Sequence, residues 1–321
     1  MFGNLCLGPE MDVSVVICAY TMRRYEDLKL AVASALAQEP APLEVLVVSD
    51  GNAELLEAAR ADFPAARVMA NRLTPGLSGA RNTAVQEARG DIVAFLDDDA
   101  EAEPGWLAAL AAPYADEAVL GVGGFIEPKW DAGRPPWFPP EFGWIVGCSY
   151  VGQPETLAPV RNLIGANMSA RRDVLTALGG FTTSLGRVGA GVTGNEETDL
   201  CIRGLKRWPG RRWMLSPTAR VRHRVPAERG RWKYFVRRCW GEGQSKSAMV
   251  DDVGAGEGLS SERSYATKTL PLGVLRHARH DPRRSGAIIA GLAVTTASYA
   301  VGTVRARRAS ASTATATLPS D

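Results

Sequence analysis

After ten irregular residues the chain enters an apolar run, Val13-Ser14-Val15-Val16-Ile17-Cys18, and comparable runs return at 43–49, 67–70 and 91–96. Short runs rich in β-branched residues and bounded by polar segments read as buried strands. Between them the apolar positions switch to helical spacing: Leu28, Val32 and Leu36 lie within 25–38, and helices are expected at 53–61 and 78–89. Alternating strands and helices predict a mostly parallel central sheet flanked by helices, an α/β fold. Ligands of such sheets bind beyond the carboxyl ends of the strands. Ala19-Tyr20, Asp50 and Asp97-Asp98-Asp99 all fall there.

Beyond a further extended run at 119–125 the pattern changes. Residues 128–150 are rich in proline, glycine and tryptophan, with Trp130, Trp137 and Trp144, and read as an ordered loop laid on the sheet. Residues 163–169 are extended again, and 173–178 start a short helix that Gly179-Gly180 stops. The glycine-rich segment 187–194 is expected to be mobile. A helix over 195–208, extended pieces around Trp213 and Val221, and an amphipathic basic helix from 231 to 239 follow.

Residues 286–304 run about nineteen positions without a charge, flanked by Arg283-Arg284 and by Arg305, Arg307 and Arg308. The length is marginal for a membrane span, and glycines, threonines and a serine lower the hydrophobicity. The segment therefore reads as a spanning helix, a helix docked at the interface, or a packing helix. From 309 the alanine, serine and threonine repeat reads as a disordered tail.

Composition narrows the class. Hydrophobic content of 45% and charged content of 22% are those of a globular protein, and 37 basic against 35 acidic residues exclude a global case for nucleic acid. Charge is uneven, however: arginines crowd 203–238, which suits phosphates, an anionic membrane surface or a solvated face. Five scattered cysteines without CxxC spacing form neither a zinc site nor a disulfide framework, so free thiols are expected. Residues 1–10 lack the pattern of a signal peptide.

The chemistry concentrates at Asp97-Asp98-Asp99. Three carboxylates at a strand exit repel one another unless a cation is nearby, and Mg²⁺ or Mn²⁺ bound there would share its shell with substrate phosphates. The plainer reading is that these acids cap the helix starting near Pro104. A second acidic group, Glu196-Glu197-Thr198-Asp199, opens a predicted helix. Acids there can serve the helix dipole, or one can remove a proton from an attacking hydroxyl. His223 sits among Arg220, Arg222 and Arg224, which would disfavour its protonated form and leave the neutral imidazole that binds metal.

In order along the chain, Cys18-Ala19-Tyr20, Val48-Ser49-Asp50-Gly51, Gly76-Leu77-Ser78-Gly79-Ala80-Arg81-Asn82, Phe95-Leu96-Asp97-Asp98-Asp99, Gly165-Ala166-Asn167-Met168, Gly179-Gly180-Phe181, Glu196-Glu197-Thr198-Asp199-Leu200 and His223 resemble the successive motifs of family 2 glycosyltransferases with the GT-A fold. The resemblance covers about residues 13–249. It implies a metal-dependent, inverting transfer of a sugar from a nucleoside diphosphate sugar, UDP-linked by analogy, to a hydroxyl acceptor. Ala19, Tyr20, Asp50, Arg81, Asp97 and Asp98 would line the nucleotide sugar, with Arg81 by the diphosphate and Asp98 turned elsewhere. Asp99 and His223 would hold Mg²⁺ or Mn²⁺. The family's usual base is the second acid of a Glu-Asp pair; here the pair is Glu196-Glu197, which leaves the base between Glu197 and Glu196.

The tryptophan-rich segment and the stretch from Arg237 to Lys246 further resemble a subgroup of glucuronosyltransferases acting on lipid-linked sugars. That implies Trp130, Trp137, Trp144, Asn167, Arg237, Arg238 and Trp240 as acceptor contacts, although the tryptophans can equally anchor a loop. The expected organisation is a 1–10 extension and an 11–250 transferase domain with nucleotide-sugar (11–125) and acceptor (126–250) halves. A basic and apolar helical region follows at 251–308, then the tail. The expected setting is the cytoplasmic face of a membrane, held peripherally or by one C-terminal helix, in glycan biosynthesis of the cell envelope. A phosphatase of the haloacid dehalogenase type would need its nucleophile after the first strand, where Cys18-Ala19-Tyr20 stands instead. An inactive transferase fold serving as a membrane-bound binding module is the remaining alternative.

Overall fold

A computed structural model describes residues 11–184, 196–253 and 264–316; the extension, the segment 187–194 and the last five residues lie outside them. By internal packing the chain divides into two units. The first holds the chain up to Lys129 together with Gly147–Ser149 and Pro154–Arg224. The second holds Trp130–Val146, Tyr150–Gln153 and the chain from Val225.

The first unit begins as the apolar runs dictate: β1 (Val13–Ala19), α1 (Tyr25–Leu36), β2 (Glu44–Ser49), α2 (Ala53–Asp62), β3 (Arg67–Ala70), α3 (Leu77–Glu87) and β4 (Ile92–Asp97). Asn52 starts α2 by accepting from the Leu55 amide at 3.0 Å, which satisfies one of the donors a helix leaves open. There follow β5 (Ala100–Ala102), α4 (Trp106–Ala111), β6 (Val119–Trp130), β7 (Ala158–Val160), β8 (Asn167–Arg171), α5 (Arg172–Ala177), α6 (Glu196–Arg207) and β9 (Arg212–Val225).

One sheet runs in the order β3-β2-β1-β4-β8-β6-β9-β5, with β7 on β9. Its parallel part is narrower than expected. β3, β2, β1 and β4 are parallel neighbours, whereas β8 is antiparallel to both β4 and β6, and β5 and β7 are antiparallel to β9. A parallel neighbour needs a crossover that returns the chain to the strand's starting end. α1, α2 and α3 provide it; the irregular links after 119 do not. The extended pieces around Trp213 and Val221 are one strand, β9, and β5 and β7 are short strands that the hydropathy pattern did not show. Val16, Val48, Phe95, Ala80, Ala84, Met168, Phe181, Leu200 and Trp213 share a core against the sheet.

The second unit is helical and aromatic: a 3₁₀ segment at Pro140–Val146, α7 (Trp232–Val253), a π-helical turn at Tyr265–Thr269, α8 (Leu270–Ala278) and α9 (Pro282–Ala316). α7 is far longer than the helix expected at 231–239, and α9 carries helix into the stretch expected to be disordered. Within α9, Pro282–Arg305 is long and apolar enough to cross a membrane by length and composition.

Candidate active site

The carboxyl ends of β1, β2 and β4 lie side by side because the three strands are parallel and in register, Cys18 opposite both Val48 and Asp97. β4 then turns through Asp98 and Asp99 into β5, and β5 pairs with β9 so that Ala100 faces His223. That pairing brings the histidine to the aspartates: His223 Nε2 is 3.1 Å from Asp99 Oδ1. Its other nitrogen, Nδ1, lies 3.9 Å from Cys148 Sγ, which fixes the ring's orientation.

Strand alternation corrects the expectation that the neighbouring arginines keep His223 neutral. Side chains of a strand point to alternate faces, so Arg220, Arg222 and Arg224 turn away and pair with Glu127, Glu101 and Asp27. Burial opposes the protonated imidazole, but the Asp99 carboxylate outweighs it and raises His223 well above its ordinary value. Much of the basic stretch is neutralised locally in the same way, with Arg203 on Asp199 and Arg212 on Asp116.

Asp98 does not turn elsewhere. It is buried, and Arg24 spans it and its neighbour, with Nη2 3.1 Å from Asp98 Oδ1 and Nη1 2.7 Å from Asp99 Oδ2. Burial pushes the Asp98 carboxyl well above the usual range, Arg24 acting against that shift. The Arg24 guanidinium also covers the ring of Tyr20, at 5.2 Å, while Tyr20 as a whole remains 44% exposed. Sequence reasoning missed Arg24, since a basic pair after a strand has no distinguishing pattern.

Arg81, expected beside the diphosphate, is instead enclosed by protein. It is 2% exposed. Nη1 lies 3.1 Å from Glu197 Oε1 and 3.4 Å from Glu196 Oε1, while Nη2 lies 3.5 Å from Asp97 and donates to the Gly165 carbonyl at 3.2 Å. The Phe95 and Phe181 rings flank it at 5.8 and 5.2 Å. A fork with several fixed donors suits this task of holding separate carboxylates. Glu196 has a side chain 1% exposed, whereas that of Glu197 is 18% exposed. Gly165 permits the arrangement: a Cβ there would lie 1.9 Å from Glu197 Oε1 and 2.6 Å from Arg81 Nη2.

On the β1–β2 side, Ala19 is buried and its carbonyl accepts from the Asp50 amide at 2.8 Å. The Asp50 carboxylate accepts from Asn71 Nδ2 at 2.7 Å and from the Gly76 amide at 2.9 Å, which ties it to the start of α3. The Gly-Gly-Phe motif is a brace for the same helix. Gly180, at φ +75°, lies against Asn82, which accepts from the Phe181 amide at 2.7 Å and donates to its carbonyl at 2.8 Å.

The residues expected to meet an acceptor separate. Asn167 is fully buried, accepting from Trp106 Nε1 at 2.8 Å and donating to the Phe125 and Ala219 carbonyls at 3.1 and 2.9 Å. It is a strut between strands, with no atom left to offer an acceptor. Within the second unit Trp130 stands edge-on to Phe138 at 5.1 Å, and Trp137 packs on Phe138, Trp232 and Phe235. Trp144 Nε1 donates to Tyr265 Oη at 3.0 Å. These three tryptophans anchor their segment. On α7, Trp240 and Arg237 are exposed, with Arg237 over the Tyr234 ring, and Arg238 is half-buried.

Asp97, Asp99 and His223 each offer one ligand atom, all within 4.8 Å of one another. Two carboxylate oxygens and one imidazole nitrogen suit Mn²⁺ or Mg²⁺, so the residues fit a divalent cation.

The sequence profile of Glycosyl transferase family 2 matches residues 14–179. A glucosyl-dolichyl phosphate glucuronosyltransferase of Haloferax volcanii is 38% identical over 243 residues, which cover 74% of this chain and 77% of the relative. Among solved structures, the mannosyltransferase PcManGT from Pyrobaculum calidifontis, in complex with GDP-Man and Mn²⁺, superposes with a TM-score of 0.57 at 18% identity over 89% of this chain and 87% of that one. GalNAc-T7 with UDP, GalNAc and Mn²⁺ gives 0.53 at 17% identity over 80% of this chain. The match spans about half of the GalNAc-T7 chain, 54%. At these identities the structures establish the GT-A fold. Strand-end acids on that fold, a profile over half the chain and a relative matched over most of its length lead to one assignment: the chain is a glycosyltransferase and belongs to glycosyl transferase family 2.

Proposed function

We propose that the chain transfers a sugar, with inversion, from a nucleoside diphosphate sugar to a hydroxyl of a lipid-linked glycan at a membrane. The observation that carries this reading is the buried Arg81, which joins Asp97 at the nucleotide-binding end of the sheet to Glu197 at the start of α6. The name of the Haloferax volcanii relative supports a lipid-linked acceptor and a glucuronosyl donor.

Glu197 is the base on this reading. It is the more exposed acid of the pair; Arg81 holds its Oε1, and the absence of a side chain at Gly165 leaves room for it. It removes the proton of the acceptor hydroxyl as that oxygen bonds to the anomeric carbon and the bond to the diphosphate breaks. Glu196, enclosed beside Arg81, positions rather than reacts. Asp97, Asp99 and His223 would hold a divalent cation, whose positive charge would offset charge on a departing diphosphate. Asp50 and Tyr20, at the ends of β2 and β1, would meet the nucleoside on this reading.

Glu197→Gln should bind donor nucleotide as the wild type does while turnover falls about 10²–10⁴-fold. Asp99→Asn should lose the Mn²⁺ dependence of nucleotide binding. Wild-type turnover in the first variant, or unchanged Mn²⁺ dependence in the second, would overturn the assignment.

A further inference from the structure

α9 turns Ile289, Leu292 and Val304 outward, while Ile288 packs inward toward Gly273 of α8. Its inner side carries Ala287 and Ile288 near its start and then Gly291, Ser298 and Gly302 where α7 packs, all buried. A Cβ at Gly302 would lie 2.0 Å from Ser247 Oγ, and one at Gly243 of α7 would lie 2.4 Å from the Thr295 carbonyl. Polar groups bind the two helices together: Gln244 Nε2 donates to the Ser298 carbonyl and hydroxyl at 2.7 and 3.0 Å, and Ser298 Oγ donates to the Trp240 carbonyl at 2.6 Å. The outer side carries Ile289 at 57% exposure, Leu292 at 36% and Val304 at 49%. Ala293, Thr296, Ala297 and Ala300 are exposed between them.

A packing helix of a soluble domain turns large apolar residues inward and polar ones to water. Small and polar residues at the helix contact, with apolar residues facing out, is the arrangement of helices that meet lipid.

α8 continues this surface. Leu272 and Leu275 are 59% and 71% exposed. They cannot turn inward, because Gly273 and His277 occupy the inner side against Glu141, with His277 Nε2 3.3 Å from its carboxylate. Arg276, Arg279 and Arg283 are exposed beside them, Arg276 with Nη1 4.0 Å from the buried Glu141 carboxylate and 60% of its side chain still in solvent. Between residues 264 and 316 the sequence has one acid, Asp281, and Arg284 pairs with it at 2.9 Å. The exposed charge is therefore positive and complements lipid phosphates.

We propose that α8 and the outer side of α9 form a monotopic docking face that enters one leaflet of an anionic membrane, with the exposed leucines and Ile289 in the acyl boundary and Arg276, Arg279 and Arg283 at the phosphates. A spanning α9 is disfavoured by its partner. Residues 240–247 of α7 pack on 295–302, and Glu242 and Lys246, paired at 3.4 Å, would be drawn into hydrocarbon with it. In-plane docking leaves them in water. The proposal goes beyond the reaction: it concerns where the enzyme sits, not what it transfers.

The test is flotation of the full chain with vesicles of phosphatidylcholine alone and with phosphatidylglycerol added. The wild type should float with the anionic vesicles, less so at high salt, and should be released by alkaline carbonate. Leu272→Ala combined with Leu275→Ala should weaken vesicle binding about tenfold or more, and Arg276→Gln with Arg279→Gln and Arg283→Gln should remove the preference for phosphatidylglycerol. Donor hydrolysis in detergent should be unchanged in the leucine variant, which separates lost docking from lost folding. Wild-type flotation in both variants, or a wild type that resists carbonate as a spanning protein does, would overturn the proposal. Failure of donor hydrolysis in every form would count against the proposed reaction, and flotation would still decide the docking face.

Discussion

Arg24 Nη1 lies 2.7 Å from Asp99 Oδ2, and its other terminal nitrogen lies 3.1 Å from Asp98. Two adjacent buried carboxylates thus share one guanidinium. Removing one partner of a buried pair leaves uncompensated charge, which costs more than the pair itself contributes.

Arg24→Met should therefore lower stability by about 3 kcal/mol without added metal, the low end for a buried pair because Arg24 is partly exposed. Because a divalent cation at Asp97, Asp99 and His223 restores positive charge beside the same acids, Mn²⁺ should raise the Tm of the variant more than that of the wild type. Thermal denaturation with and without Mn²⁺ checks both points. An equal Mn²⁺ increment in the two proteins would show that Arg24 and the cation serve different charges.

Gly165 sits where Arg81 and Glu197 meet, with room for a hydrogen and nothing more. Gly165→Ala should push both side chains aside and lower turnover about 10²-fold, since a displacement of about 1 Å has that effect on positioned groups. Donor affinity should change little. Steady-state kinetics against an equilibrium nucleotide titration separates the two; unchanged turnover would mean that Arg81 and Glu197 are free to move apart.

Glu44, on β2, accepts from Ser14 Oγ at 2.9 Å and from the Arg89 amide at 2.8 Å, and pairs with Arg67. Burial pushes its carboxyl up, but these three donors outweigh burial and hold it below its ordinary value of 4.5. With the folded value depressed, the unfolded chain takes up the proton first as pH falls. The stabilisation is present above the unfolded value and is lost as pH falls through the folded one. Glu44→Gln should be less stable at neutral pH and show a shallower decline in Tm below pH 4.5. Parallel acid limbs for the two proteins would exclude Glu44 as a source of the decline.

Much of this architecture was legible locally. The strands β1, β2 and β4 are largely apolar runs, and the acids at the ends of β2 and β4 stand where a parallel sheet places ligands. Other features were hidden for physical reasons. The second half of β9 alternates Arg220, Arg222 and Arg224 with Ala219, Val221, His223 and Val225, so its length is masked by charges that neighbouring acids neutralise. Trp130, Trp137 and Trp144 have the composition of a sugar-binding surface, yet they are used as packing in their own unit. Asn167 belongs to a motif of the family, but its amide is spent on joining strands.

The sequence by itself determined which segments become strands, that carboxylates stand at the ends of two of them, β2 and β4, and which family the order of motifs resembles. Each of these depends on residues within a few positions of one another, where hydrophobic periodicity acts. The tertiary structure alone decided that His223 meets Asp99, that Arg24 and Arg81 are the counter-charges of the acidic cluster, and that α9 turns Ile289, Leu292 and Val304 out. Those outcomes depend on the register between distant strands and on which face of a helix its neighbour covers, and in both cases the same residues in a different pairing would carry different charges and contacts.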